Sequence, residues 1–250
     1  WPTTGKATVL GFTPWQRKHE YLKQISLVMG QKAQLWWDLP AADSFELNKA
    51  IYNVPEKYFQ ETLNELVELL DVKQLLDIQV RRLSLGERMK MELIAALLHR
   101  PKVLFLDEPT IGLDVVSQQK MREFIREWNR RHKTTILLTS HYMADVEAMA
   151  SRLIIINHGS LIYDGSLSEF MDQYVHHKII TVTFSKDVAR KDVEPYGRVR
   201  EWKELHTVIE VPKDDVATNA AAILTKLPVD DILIDEVELE EIIRKIFSRS

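Results

Sequence analysis

The chain has 250 residues, and 33 Lys and Arg against 37 Asp and Glu leave a formal charge of −4, with no basic footprint for nucleic acid. With 45% hydrophobic and 28% charged residues it is an ordinary globular sequence, large enough for one domain and an appendage. The absence of cysteine excludes disulfides, thiolate zinc sites and thiol nucleophiles and fits a reducing compartment, and no apolar run reaches the roughly 18 residues of a membrane span.

The opening residues Ala7–Phe12 read as the end of a strand or hairpin, closed by Thr13-Pro14. Ile25–Met29 is a short apolar run before Gly30 and Gln31, and residues 41 to 100 read as mostly helical, with Tyr58, Leu63, Leu66, Leu69 and Leu70 at helical spacing. Val103–Leu106 and Thr134–Leu138 are short apolar runs of the kind found in parallel sheets buried on both faces, joined by a helix over about 117–131. A helix after His141 leads into an expected third strand, Leu153–Ile156, so the order strand, helix, strand, helix, strand predicts α/β architecture. Asn157–Ser160 then signals a hairpin turn. Beyond Tyr174 the pattern changes to strands at 179–184, 207–211 and 232–234 with helices over 214–226 and 238–247, a small second domain.

Two adjacent carboxylates, Asp107 and Glu108, end the run Leu104-Phe105-Leu106, where α/β sheets place ligands; one can hold a hydrated Mg²⁺ and the other polarise an attacking water, although acids also end strands for solubility alone. Ser84, followed three residues later by Glu87, has the pattern of a capping box, and Gly86 in the first turn admits close approach, so this helix start reads either as an anion site or as a well-capped helix. His141 directly follows a strand and can donate to a phosphate oxygen or simply sit on the surface. Gln31 offers a neutral amide oxygen to a metal or water. The eight glycines contain no pair five positions apart, so a phosphate-cradling P-loop is absent from the sequence, and Gly5-Lys6 is not a disguised one.

In order, Gln31, Leu83-Ser84-Leu85-Gly86-Glu87, Leu106-Asp107-Glu108-Pro109-Thr110, Gly112-Leu113-Asp114 and His141 form one set, and residues 1 to about 170 resemble the ATPase subunit of ATP-binding cassette (ABC) transporters. The resemblance implies an α/β, P-loop NTPase-like ABC ATPase core, amino-terminally truncated, over 1–173, with a helical subdomain at about 41–100. A small α+β accessory domain follows over 174–250. It also implies that roughly sixty residues carrying the P-loop precede Trp1.

By the same resemblance Asp107 and Gln31 would hold Mg²⁺, Glu108 would act as general base and His141 would contact the γ-phosphate of ATP. Ser84, Gly86, Glu87 and Asp114 would face nucleotide across a dimer interface. The signature departs from its commonest form at Leu85, where glycine is usual, and at Glu87, where glutamine is usual. The implied partners are a separate transmembrane permease and a second ABC ATPase subunit, in a homodimer or heterodimer, with the chain peripheral on the cytoplasmic face of the membrane. The cluster Leu35-Trp36-Trp37-Asp38-Leu39-Pro40 resembles a bacterial exporter subgroup and lies where the family meets its permease, or else packs between lobes. The rival is a non-catalytic pseudo-ATPase that lends only its signature side to a complete partner.

Overall fold

In the computed structural model, residues 2–30 and 32–248 are described, residue 245 by its backbone alone. Gln31 therefore lies outside the described residues. The chain divides into two compact units, Trp1–Met149 and Ala150–Ser250. This division falls ahead of the 157–160 hairpin, whereas the sequence reading set its boundary at 173/174.

The first unit opens with a tight hairpin turn, the hairpin alternative expected for residues 7–12. Val9 and Phe12 exchange both backbone hydrogen bonds at 2.9 Å, around Leu10 and Gly11 at φ 53° and 80°, the two positive angles that such a hairpin turn requires. The one-turn helix α1 (His19–Leu22) leads to strand β1 (Ile25–Met29). Helices α2 (Ala41–Tyr52), α3 (Glu56–Leu70) and α4 (Leu85–Leu97) fill the connection to β2 (Val103–Asp107). Proline precedes α2 and α3, and Asn53 and Asp71 end them at φ 52° and 51°, the left-handed geometry that satisfies terminal carbonyls. Helix α5 (Val115–His132) then crosses to β3 (Thr135–Thr139), and α6 (Met143–Met149) closes the unit.

The three strands form a parallel sheet in the order β1-β2-β3. Its row Val28, Leu106 and Leu138 joins a core with Phe45, Phe59, Leu66, Leu93, Phe124 and Trp128 from the crossover helices. On the opposite row Leu27 is 44% exposed and Leu137 50%, while Phe105 between them is partly buried. Burial on both faces, as expected, holds for Val103–Leu106 of β2 but not for β3, which is exposed at Thr135, Leu137 and Thr139. The helical core gathers on one side, which leaves Leu27 of β1 and Leu137 of β3 exposed on the other.

The second unit begins with the antiparallel hairpin β4 (Arg152–Asn157) and β5 (Ser160–Ser166), followed by α7 (Leu167–Tyr174). Among the described residues β4 pairs with β5 and not with β3, so the expected third parallel strand is half of a hairpin instead. After β6 (His177–Phe184), the one-turn helix α8 (Arg190–Val193) precedes β7 (Arg198–Lys203) and β8 (His206–Pro212); helix α9 (Val216–Lys226), β9 (Val229–Glu236) and α10 (Leu239–Ser248) complete the chain. The four strands form an antiparallel sheet ordered β7-β8-β6-β9. Its face bearing Ile180, Val182, Ile209 and Val211 packs on Val216, Ala220 and Ile223 of α9. No helix among the described residues is long and apolar enough to cross a membrane.

Candidate functional site

The strand register brings the first cluster together. Asp107 ends β2 beside Met29 and Thr139, and its exposed carboxylate accepts the Thr139 hydroxyl at 2.6 Å. The next residue, Glu108, turns off the sheet at φ 52°, its N–H donating to the Thr139 carbonyl at 3.0 Å. On the other side Gly30 donates its N–H to the Asp107 carbonyl at 2.8 Å. A Cβ at Gly30 would overlap the Glu108 carbonyl oxygen and press on Ile111. A glycine is therefore needed for the turn of Glu108 to pass over the end of β1.

The Glu108 side chain is 16% exposed and lies against His141, 3.3 Å from Oε1 to Nε2, with the other oxygen accepting the His141 backbone N–H at 3.1 Å. The His141 ring itself is 86% exposed. A carboxylate held at both oxygens sits next to a solvent-open imidazole and a second carboxylate. That donor set suits a hydrated divalent cation shared with phosphate oxygens. Among the described residues no group of three or more His, Asp or Glu could hold a metal alone.

The second cluster is built on helix starts. Ser84 caps α4, accepting the Glu87 N–H at 3.3 Å, while Glu87 accepts the Ser84 N–H at 2.8 Å. This reciprocal cap, chiefly the backbone bond from Ser84, holds the Glu87 carboxyl below its usual range. Its charge serves the helix terminus. Asp114 caps α5 in the same way, accepting the Ser117 hydroxyl at 2.6 Å and the Ser117 N–H at 2.9 Å, and these bonds, the hydroxyl's first, lower its pKa. The two caps are neighbours: a Cβ on Gly86 would lie 3.1 Å from the Ser117 hydroxyl oxygen.

Two carboxylates that the sequence reading did not single out complete the unit. Asp145 on α6 is fully buried and bonds the Thr110 hydroxyl, the Ser140 hydroxyl at 2.8 Å and Nε of Arg122 at 2.6 Å. Glu92 on α4, 4% exposed, accepts the backbone N–H groups of Gln34 at 2.7 Å and Leu35 at 3.3 Å. Burial pushes its pKa up. It lines a cavity of about 100 Å³ with Ser26, Asn48 and Tyr52. One helical turn earlier, the Arg88 guanidinium lies 5.1 Å from the Trp37 ring, within cation–π range. Trp36 and Trp37 remain 51% and 47% exposed. The one available signal for Glu92 was a single acid inside the apolar run Met91 to Leu98.

Residues 1–111 match the ABC transporter family, and residues 176–235 match the C-terminal domain of EvrA-like ABC transporters. The chain is 30% identical over 171 residues to the ABC transporter ATP-binding protein NatA of Bacillus subtilis, covering 68% of this chain and 69% of NatA. It is 33% identical over 179 residues to the uncharacterized ABC transporter ATP-binding protein YdbJ of the same species, covering 72% of this chain and 56% of that relative. A solved ATP-binding subunit of an ABC transporter shares the fold, with a TM-score of 0.61 at 22% identity over 69% of this chain and 71% of that one. The strand-end carboxylates, the two neighbouring caps and the extent of the match to NatA lead to one conclusion: the chain belongs to the ATP-binding subunits of ABC transporters.

Proposed function

We propose that the chain is the ATP-hydrolysing subunit of a membrane exporter, peripheral on the cytoplasmic face, working as a dimer of ABC ATPase subunits against a separate permease. The observation that carries this reading is the Glu108 carboxylate, clasped by the backbone and ring of His141 beside Asp107. In phosphoryl transfer a protein chiefly positions groups and stabilises charge. Mg²⁺ bound with ATP would supply the neutralisation of developing phosphate charge, and Asp107 would hold it through water. Glu108 orients a water for in-line attack and accepts its proton at the carboxylate. The His141 ring, open to solvent, donates to a phosphate oxygen.

Ser84, Gly86, Glu87 and Asp114 face the opposite subunit's nucleotide in this reading. The Glu87 carboxylate is already engaged by its own cap, so its charge is drawn away from incoming phosphate. Gln31 keeps the role that the family resemblance implies, reaching the metal. Trp36 and Trp37 offer the permease large apolar anchors.

A second reading rests on the glycines: with no P-loop pair among the eight, the chain by itself is inferred not to hydrolyse ATP, and it would lend only Ser84, Gly86 and Asp114 to a complete partner. Phosphate release by the protein isolated with its permease separates the two. Glu108→Gln should lower turnover by at least ~100-fold, the usual worth of a general base, with ATP still bound. Unchanged turnover removes Glu108 from its role and favours the second reading. Ser84→Arg should abolish nucleotide-dependent dimers under either reading.

A further inference from the structure

We propose that Asp145 is a positioning residue that locks the turn carrying Glu108 to the turn carrying His141; its catalytic meaning rests on the function proposed above. Its two oxygens collect donors from three separate segments. Oδ2 accepts the hydroxyls of Thr110, two residues past Glu108, and Ser140, the residue before His141, while Oδ1 accepts Nε of Arg122 on α5. Thr110 and Asp145 are both fully buried. Water is kept from the Thr110 bond, whose hydroxyl would be left unsatisfied without the carboxylate, while Ser140 and Arg122 are partly buried.

The surrounding bonds tighten the same junction. Ser140 Oγ also accepts the Tyr142 N–H at 3.0 Å, and the Asp145 N–H donates to the Tyr142 carbonyl at 3.0 Å, closing the turn around His141. Gln118 donates to the Thr110 carbonyl at 3.4 Å and accepts from Arg122 at 3.4 Å, tying the Glu108 turn to α5. Helix α5 begins at the Asp114 cap. One buried carboxylate thus joins the ends of β2 and β3 and the helix that carries Asp114, without touching any of the residues proposed to do chemistry.

An acceptor-only group is required here. In Asp145→Asn the single amide oxygen could accept both hydroxyls, but the NH₂ would then face the Arg122 guanidinium. Asp145→Asn is the severe test; Thr110→Val, which removes a single neutral donor, and Ser140→Ala, which also removes the acceptor of the Tyr142 N–H, are milder ones that keep the ion pair. Amide hydrogen exchange of the full chain, without nucleotide, reads the lock directly. The His141 amide, bonded to Glu108, should exchange at least tenfold faster in Ser140→Ala and also in Thr110→Val, although Thr110 sits in the other turn. A His141 amide that stays within twofold of wild type in Thr110→Val overturns the lock.

In the protein isolated with its permease, both mild variants should lower kcat at unchanged KM. Faster exchange with kcat and KM both unaltered overturns the positioning role. If the wild-type complex hydrolyses no ATP, the proposed function fails, and the exchange data still decide whether the lock exists.

Discussion

Among the described residues two charged side chains are buried, Asp145 and Glu92, and the molecule treats them differently. Asp145 meets a guanidinium and two hydroxyls, whereas Glu92 meets two backbone N–H groups, with no salt-bridge partner among the described residues. The first is a junction between rigid turns, built on a permanent cation. The second is on α4 and lines a small cavity, where burial favours the protonated acid. At Glu92 burial outweighs the two backbone N–H groups and the charge of Arg88, whereas Asp145 is in direct contact with its guanidinium.

The strongest way to break this comparison is Asp145→Ala, which leaves the Arg122 guanidinium, 13% exposed, without its partner. Urea denaturation should show a loss of about 3–5 kcal/mol, the usual consequence of stranding one half of a buried pair. A loss below ~1 kcal/mol would mean that the Arg122 side chain finds water and that Asp145 anchors nothing.

Acid should act on the Glu92 side instead. His99 stacks on Tyr52 at 3.8 Å and is bonded at Nε2 to the Ile25 carbonyl; burial lowers its pKa from 6.5 to about 4, the carbonyl opposing that shift weakly. The unfolded chain binds its proton first as pH falls, so stability from this group is complete above pH 6.5 and is lost between 6.5 and about 4. His99→Gln should remove roughly 2–3 kcal/mol of pH dependence from that window, measured by thermal melts across it.

Glu92 shifts in the opposite sense. With its folded pKa raised, it favours the folded state below about pH 4.5 and loses that contribution as pH rises through the raised value. Glu92→Gln keeps an oxygen for Gln34 and Leu35 and should stabilise at pH 7 by no more than ~1 kcal/mol, the scale of one hydrogen bond, with no gain below pH 4.5. Ser84→Ala, which removes one cap bond, should cost about 1 kcal/mol in the same melts.

Much of the fold was legible because short-range chemistry governs it. The runs Val103–Leu106 and Thr134–Leu138 form adjacent parallel strands, and Ser84 with Glu87 makes the reciprocal cap their spacing predicts. Asp107, Glu108 and His141 meet because both strands end in register. The errors lie where a residue's partner is remote. Leu153–Ile156 has the apolar texture of a buried parallel strand, yet its register is set by the 157–160 turn that folds β5 back on it. β7 went unread because Arg-Val-Arg-Glu-Trp-Lys carries the charges of an edge strand rather than an apolar period. Asp145 and Glu92 look like ordinary helix-surface acids until donors more than twenty positions away are seen to converge on them.

Glu108 stands at φ 52°, a backbone state that glycine or asparagine occupies at less cost. Measured against folding alone, it is the wrong residue for its place. Glu108→Gly would relax the turn, while deleting the carboxylate that His141 holds. A selection experiment that rewards only thermal resistance should therefore drift away from glutamate at 108, and one that rewards transport should not. The strain at this single α-carbon thus offers a way to ask, without any assay of chemistry, what the cell keeps the protein for.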